Sequence, residues 1–393
     1  MTPAARVEAA IELLDGIVAA AREGGAAADT LIARYFKTRR YAGSKDRRAV
    51  RELVYRAIRR AGERPPNGRA AMLGLAEDDP NVTALFDGST HGPAPAREGE
   101  TVAAAGLAPA WLLERFDPAV TADELPALLE RAPLDLRVNR LKGSRDEAQE
   151  SLPEAATTPH SPIGLRLPEG FGVEGKEAWA SGLVEVQDEG SQLACLACEA
   201  APGTTVVDLC AGAGGKTLAL AAELANSGRI LACDTDRSRL SRLPARAERA
   251  GAAIVETRLL DPGREAEALA DLADAADLVL VDAPCSGTGT WRRNPETRWR
   301  SSPERLARLT ALQGRLLDLG AELVRPGGHL VYAVCSLLAE EGRGQAEAFG
   351  RRSSLVAQPV AMTAGREAGP GRLLSPARDG TDGFFVARWR RPC

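Results

Sequence analysis

Aromatic residues are scarce, at 4% of a 393-residue chain. A core must therefore be packed from Ala, Val and Leu rather than from rings. Histidine is scarcer still. His91, His160 and His329 are the only three, and they form no cluster with cysteines, so no zinc or other metal site is expected. No apolar run is long enough to span a bilayer, which excludes a membrane-spanning helix. The start of the chain carries Arg6, Glu8, Glu12 and Asp15 on a helical pattern, so it is not expected to be a signal peptide. Charge of one sign is also missing. Lys and Arg number 50 against 54 Asp and Glu, a net charge of −4, so any binding to nucleic acid must come from a local patch. Seven cysteines are an odd number, scattered along the chain, which fits free thiols in a reducing cytoplasm.

What is present suits a globular protein of two or three domains. Apolar residues at Val7, Ile11, Leu14 and Val18 predict an amphipathic helix over 4–21. Residues 31–36 and 47–60 are read as helical too. Between 34 and 60, eleven basic residues stand against Asp46 and Glu52, a candidate phosphate-facing patch in an acidic protein. Residues 67–97 are rich in Gly, Pro and Asp and promise only weak helical pieces, and 109–116 and 124–131 read as short helices. The first domain is thus expected to be helical over 1–130. Alternating residues predict strands at 134–139 and 164–167, with a helix from Ser144 between them, a small α/β piece over 131–186. Residues 187–200 are read as a helix whose Cys195 and Cys198 are packing residues.

From 206 onward strands and helices alternate. Strands are predicted at 206–209, 229–234, 253–256, 278–282, 329–334 and 384–388, with helices notably at 237–250 and 303–323. This is an α/β, doubly wound sheet over 187–393, which binds ligands beyond the C-terminal strand ends. Its first strand runs into D-L-C-A-G-A-G-G-K-T, residues 208–217, a glycine loop opening a helix and suited to a nucleotide-like ligand. It is neither a Walker A loop, which needs Gly where Cys210 stands, nor a dinucleotide fingerprint, which needs Gly in place of Thr217. Asp208, Asp234, Asp261 and Asp282 lie at strand ends. Asp234, at the end of the second strand, is placed to accept hydrogen bonds from ribose hydroxyls. Two more strand ends carry cysteines, D-A-P-C-S-G-T-G at 282–289 and Y-A-V-C-S at 332–336. A disulfide is disfavoured in a reducing compartment and a metal pair lacks ligands, so covalent catalysis by a thiol is the favoured reading. Position in the sheet leaves open which thiol attacks. Arg292, Arg293, Arg298 and Trp299 follow the first of these loops and are candidates to hold phosphates or stack on a base.

Together these motifs resemble the Nop/Sun family of S-adenosylmethionine-dependent RNA cytosine-5 methyltransferases. L-R-V-N-R-L-K, Q-D-E-G-S-Q-L, R-R-N-P-E-T-R-W and D-G-F-F-V-A-R-W extend the likeness over about residues 131–390. The stretch A-G-S-K-D-R-R-A-V-R-E-L-V-Y-R-A-I-R-R resembles the NusB-type helical domain of ribosomal-RNA enzymes of that kind. The resemblance implies a Rossmann-like methyltransferase sheet with a small α/β subdomain and a NusB-like, RNA-binding N-terminal domain. It implies that Cys210, Ala211, Gly212, Ala213, Gly214, Gly215 and Lys216 wrap S-adenosyl-L-methionine, that Asp234 binds its ribose, that Asp261 sits beside the adenine, and that Asp282 lies near cofactor and base. It implies Cys335 as nucleophile and Cys285 as the group that assists product release. The implied substrate is RNA, most simply 16S ribosomal RNA. A transfer RNA enzyme of the same chemistry and a non-catalytic RNA-binding assembly factor are the alternatives. A cytoplasmic monomer is expected. Four positions depart from the family pattern: Ala213 for a proline, Val334 for a threonine, and Gly342 and Arg343 in the stretch Glu341-Gly342-Arg343, where the family has Glu-Asn-Glu. These are expected to leave the glycine loop less rigid and to weaken the hydrogen bonds around the nucleophile.

Overall fold

Four helices open the chain: α1 (Pro3–Glu23), α2 (Ala28–Thr38), α3 (Ser44–Arg60) and α4 (Gly68–Asp78). The computed structural model describes residues 1–168 and 170–393. Helix α1 starts where the Thr2 hydroxyl accepts from the Ala5 N–H, with Pro3 in its first turn, and stops at Gly24 in the left-handed region. Val7, Leu14 and Ile17 of α1 pack with Val50, Val54 and Ile58 of α3 and Met72 of α4, all fully buried. The sequence hid α4 because it begins with Gly68. The reason for that glycine is tertiary: a Cβ there would lie 2.2 Å from the Ile11 carbonyl oxygen of α1.

The unit built on these helices comprises Met1–Phe116, Leu125–Glu130 and, from far along the chain, Thr290–Pro303. The last segment corrects an expectation. Arg298 is fully buried and donates to the main-chain carbonyls of Arg59 (2.8 Å), Ala61 (2.9 Å), Leu107 (2.6 Å) and Ile58. Trp299 is buried as well, its indole N–H on the Ala61 carbonyl at 3.0 Å. Neither holds RNA. They cap carbonyls left at the end of α3. Arg292 is buried too.

The second unit comprises Asp117–Glu124, Arg131–Gly289 and Glu304–Cys393. Its smaller sheet contains β1 (Leu134–Val138), β2 (Ala156–Thr157), β3 (Gly164–Leu167) and β4 (Val184–Val186), all antiparallel, in the order β2-β3-β1-β4. The larger contains β5 (Thr204–Asp208), β6 (Gly228–Asp234), β7 (Val255–Leu259), β8 (Ala276–Asp282), β9 (Val324–Val334), β10 (Val356–Gln358), β11 (Arg366–Ala368), β12 (Gly371–Leu374) and β13 (Phe384–Arg390). Its order is β11-β12-β13-β9-β8-β5-β6-β7, with β10 on β13. Strands β5 to β9 pair in parallel, and β13 runs antiparallel to β9. The order reverses on either side of β5, so the crevice at its C-terminal end is the switch point where such sheets take ligands.

Most strands from 206 onward fall where the β-branched runs predict them. The short strands β10 to β12 carry no such run and exist through their partners; at Gly371 a Cβ would stand 2.4 Å from the Phe385 ring. The helix expected over 237–250 is broken into Arg237–Leu240 and Leu243–Ala250, because Pro244 has no N–H to continue the ladder. The helix expected over 187–200 spans only Glu189–Leu196. Among the described residues no helix is long and apolar enough to cross a membrane.

Candidate active site

The loop after β5 turns on two glycines in the left-handed region, Gly212 (φ 56°) and Gly214 (φ 87°). The second leads directly into the helix Gly215–Glu223. Within the loop the Ala211 N–H donates to the Cys233 carbonyl at 2.9 Å and the Gly214 N–H to the Ala211 carbonyl at 2.8 Å. Asp234, ending β6, accepts from the Gly212 N–H and the Asp236 N–H, each at 2.7 Å. The Ala213 carbonyl accepts from Arg246 at 2.6 Å, and Arg246 is itself held by Glu185 at 2.8 Å. The loop thus has a side-chain restraint where proline was expected to give rigidity.

Under the loop, Asp208 is fully buried and its carboxylate accepts from the Thr217 hydroxyl at 2.7 Å. Burial pushes its pKa up to about 7. Lys216 reaches across to Asp282, ending β8, at 2.7 Å. Burial opposes the charge on Lys216, but the Asp282 carboxylate outweighs it and the lysine pKa is raised. Asp261 lies two residues beyond β7 and is exposed.

The two cysteine loops converge. Cys285, three residues past β8, and Cys335, directly past β9, have their sulfurs 3.4 Å apart. Both are half-buried. The hydrogen bond to Cys335, followed by burial, raises the Cys285 thiol well above its ordinary value. Main-chain and side-chain bonds stitch the loops together. The Gly289 N–H donates to the Cys335 carbonyl at 3.1 Å, the Leu337 N–H to the Thr288 hydroxyl at 2.9 Å, and the Ser286 and Ser336 hydroxyls are 3.2 Å apart. Cys195 and Cys198, by contrast, are buried, and no group of residues able to hold a metal occurs among the described residues.

Residues 195–390 match the family described as 16S rRNA methyltransferase RsmB/F. The chain belongs to the RsmB/F family. Ribosomal RNA small subunit methyltransferase B of Klebsiella pneumoniae is 36% identical over 289 residues, covering 72% of this chain and 65% of that protein. A probable ribosomal RNA small subunit methyltransferase B of Synechocystis is 35% identical, with 72% and 66% covered. The chain therefore spans just under two thirds of the length of these relatives. Among solved structures, the crystal structure of PH0851 superposes with a TM-score of 0.77 at 25% identity, covering 98% of this chain and 99% of that one. A methyltransferase homolog from Pyrococcus horikoshii gives 0.61 at 29%, covering 68% and 89%.

S-adenosyl-L-methionine is the cofactor of such an RsmB/F sheet, and the residues present fit it. A Cβ added at Gly215 would meet nothing within 4 Å, so the start of the helix opens onto free space, and the Asp234 carboxylate stands at the neighbouring strand end. Of the residues the sequence singled out, the structure brings together Cys210 to Lys216 with Asp234, Lys216 with Asp282, and Cys285 with Cys335. Sequence reasoning missed the polar bonds that join the cysteine loops and the Lys216–Asp282 pair. It also treated the stretch after Cys335 as weakened in this RsmB/F chain. Glu341 there is fully buried and hydrogen-bonded, Gly342 packs where a Cβ would lie 2.9 Å from the Phe385 ring, and Arg343 pairs with Asp117 at 2.7 Å. The signal in the sequence was Glu341 itself, six residues past a strand-end cysteine and matching the first residue of the family's Glu-Asn-Glu.

Proposed function

We propose that the chain transfers a methyl group from S-adenosyl-L-methionine to carbon 5 of a cytidine in RNA, most simply 16S ribosomal RNA, through a covalent cysteine–RNA adduct. The observation that carries this reading is the pair of sulfurs 3.4 Å apart beside a glycine loop at the switch point of the sheet. Carbon 5 of cytosine is a poor nucleophile. Addition of the Cys335 thiolate to carbon 6 makes carbon 5 enamine-like and able to take an electrophilic methyl group. When bound, the cofactor supplies that methyl on a sulfonium sulfur. Transfer of the carbon 5 proton to water then leaves its electron pair to re-form the carbon 5–carbon 6 double bond, which expels the Cys335 thiolate and restores the ring. Cys285, its sulfur 3.4 Å from that of Cys335, is placed to assist expulsion of Cys335. Asp282, fixed by Lys216, takes the amino–imino edge of the base. Cys210 to Lys216, Asp234 and Asp261 form the cofactor site.

The helical unit is read as the part that holds RNA. Several of its basic residues are already neutralised: Arg39 by Glu12, Arg51 by Asp29, Arg56 by Asp79, Arg60 by Glu77 and Asp78. Lys37, Arg47 and Arg48 remain exposed along a groove of about 390 Å³ floored by Ile32 and Phe36, and these are the residues placed on phosphates. The proposal is for a cytoplasmic monomer.

The test is transfer of labelled methyl from S-adenosylmethionine to RNA, with bisulfite sequencing of the product. The wild type should label a cytidine at carbon 5 in small-subunit RNA. Asp234→Ala should weaken cofactor binding about tenfold or more by calorimetry, the cost of losing a charged hydrogen-bond acceptor. Charge reversal at Lys37, Arg47 and Arg48 should weaken RNA binding and flatten its salt dependence while cofactor affinity holds. RNA binding without any methyl transfer would leave an assembly factor instead.

A further inference from the structure

Glu341 has no role in the chemistry just described, yet it is the point through which both cysteine loops are connected. It follows Cys335 by six residues and precedes the helix Arg343–Arg352. Its carboxylate is fully buried. One oxygen accepts from the Ser286 N–H at 2.8 Å and from the Gln313 side-chain amide at 3.0 Å. The other accepts from the Ser336 hydroxyl at 2.6 Å and from the Ser286 hydroxyl. Ser286 is the residue after Cys285, and Ser336 is the residue after Cys335. The Gln313 amide, coming from the helix Pro303–Leu323, also donates to the Pro284 carbonyl at 2.9 Å, on the other side of Cys285. The Glu341 main chain is fixed in turn, its carbonyl accepting from the Tyr332 hydroxyl at 2.6 Å.

A buried carboxylate costs several kcal/mol unless donors replace the lost water. Four donors do so here, and all of them lie on or against the two thiol loops. The arrangement spends its desolvation penalty on fixing positions, and those positions are the ones on which reactivity depends. Resting on the methyltransferase reading above, we propose that Glu341 is a positioning residue, holding the Cys285 loop and the Cys335 loop in one register so that the two sulfurs meet. Glutamine can do the same work. Its carbonyl oxygen can take the Ser286 N–H and the Gln313 amide, and its NH2 group can donate to serine hydroxyls that turn to accept. Alanine cannot, and it leaves the Ser286 N–H without its partner.

The experiment compares E341A and E341Q in the full chain by two readouts. The first is methyl transfer. E341A should lower kcat about 100-fold, the cost of misplacing reacting groups by about 1 Å, while KM for S-adenosylmethionine stays within about twofold and E341Q recovers most of the loss. The second does not depend on activity. Treatment with 2,2′-dithiodipyridine joins Cys285 and Cys335 as a disulfide, the two thiols giving up their hydrogens as the reagent becomes two thiopyridones, and mass spectrometry of the linked peptides follows its rate. The wild type and E341Q should form the bond at similar rates and E341A about tenfold more slowly, since closure demands strict geometry. Wild-type kcat and wild-type disulfide rate in E341A would overturn the proposal, and so would an E341Q as impaired as E341A in both. Should E341A fail to fold by circular dichroism, S286A carries the disulfide test, with slower closure expected and an unchanged rate overturning the inference. If the wild type methylates no cytosine, the proposed function falls while the disulfide comparison still decides Glu341.

Discussion

Two pairs of cysteines share one unit of this molecule, and they teach opposite lessons. Cys195 and Cys198 lie three residues apart, the first in the last turn of the short helix Glu189–Leu196 and the second two residues past its end. Both are almost fully buried, and burial pushes the first up to about 12 and raises the second as well. Their contacts are those of packing: Cys198 donates back to the Ala194 carbonyl of the helix before it. Cys285 and Cys335 lie fifty residues apart, on different loops, and their sulfurs are 3.4 Å from one another. They stay half-exposed, and the residues after them, Ser286 and Ser336, are hydrogen-bonded to Glu341. Closeness in sequence marks the packing pair, and closeness in space marks the pair proposed to react. A thiol can act on a ligand only where it can be reached, and the near-complete burial of Cys195 and Cys198 denies that.

The strongest way to break this contrast is to remove each thiol of the spatial pair. Cys335→Ala should reduce methyl transfer by about 10⁴-fold or more, as loss of a covalent nucleophile does, and should abolish any RNA–protein adduct on a denaturing gel. Cys285→Ala should still attack and methylate but stall, accumulating methylated RNA bound to Cys335 as a slow band. The reverse pattern would exchange the two roles, and full activity in both variants would end the covalent mechanism.

A smaller effect sharpens what burial does. Asp208 suffers the same desolvation as Cys195, and its pKa rises from 3.8 to about 7. Between those values the folded chain binds this proton and the unfolded chain does not. Stability therefore falls as pH rises through that window, with the full penalty present above it and none below pH 3.8. Asp208→Asn removes the titration and keeps an acceptor for the Thr217 hydroxyl. Its melting temperature should exceed that of the wild type by a few degrees at pH 8 and by much less at pH 4.5. An equal difference at both values would show that Asp208 does not carry its proton in the fold.

The smallest effect on activity belongs to the helix pair. Replacing Cys195 and Cys198 together by alanine should leave methyl transfer within about twofold and cost about 1 kcal/mol per site in urea unfolding, as minor core truncations do. A loss of activity beyond the loss of fold would erase the distinction between the pairs.

The sequence by itself determined the strands β5, β6, β8 and β9, because β-branched runs bounded by glycine or acidic residues have no better place than a buried parallel sheet. It determined the glycine loop, because residues that must enter the left-handed region announce themselves. It also determined that two thiols stand at the C-terminal ends of strands, since strand order along the chain fixes which end each loop leaves from. Tertiary structure decided the rest. Arg298 and Trp299 read as RNA ligands by composition, yet they fill the helical unit, because unpaired carbonyls near the end of α3 bind them. Strands β10 to β12 form on a template that local propensity does not encode. Glu341 matches the first residue of the family's Glu-Asn-Glu, but the sequence does not say what its carboxylate meets. Its burial and its four donors come from three separate stretches of chain, and only folding brings Ser286, Gln313 and Ser336 around one carboxylate.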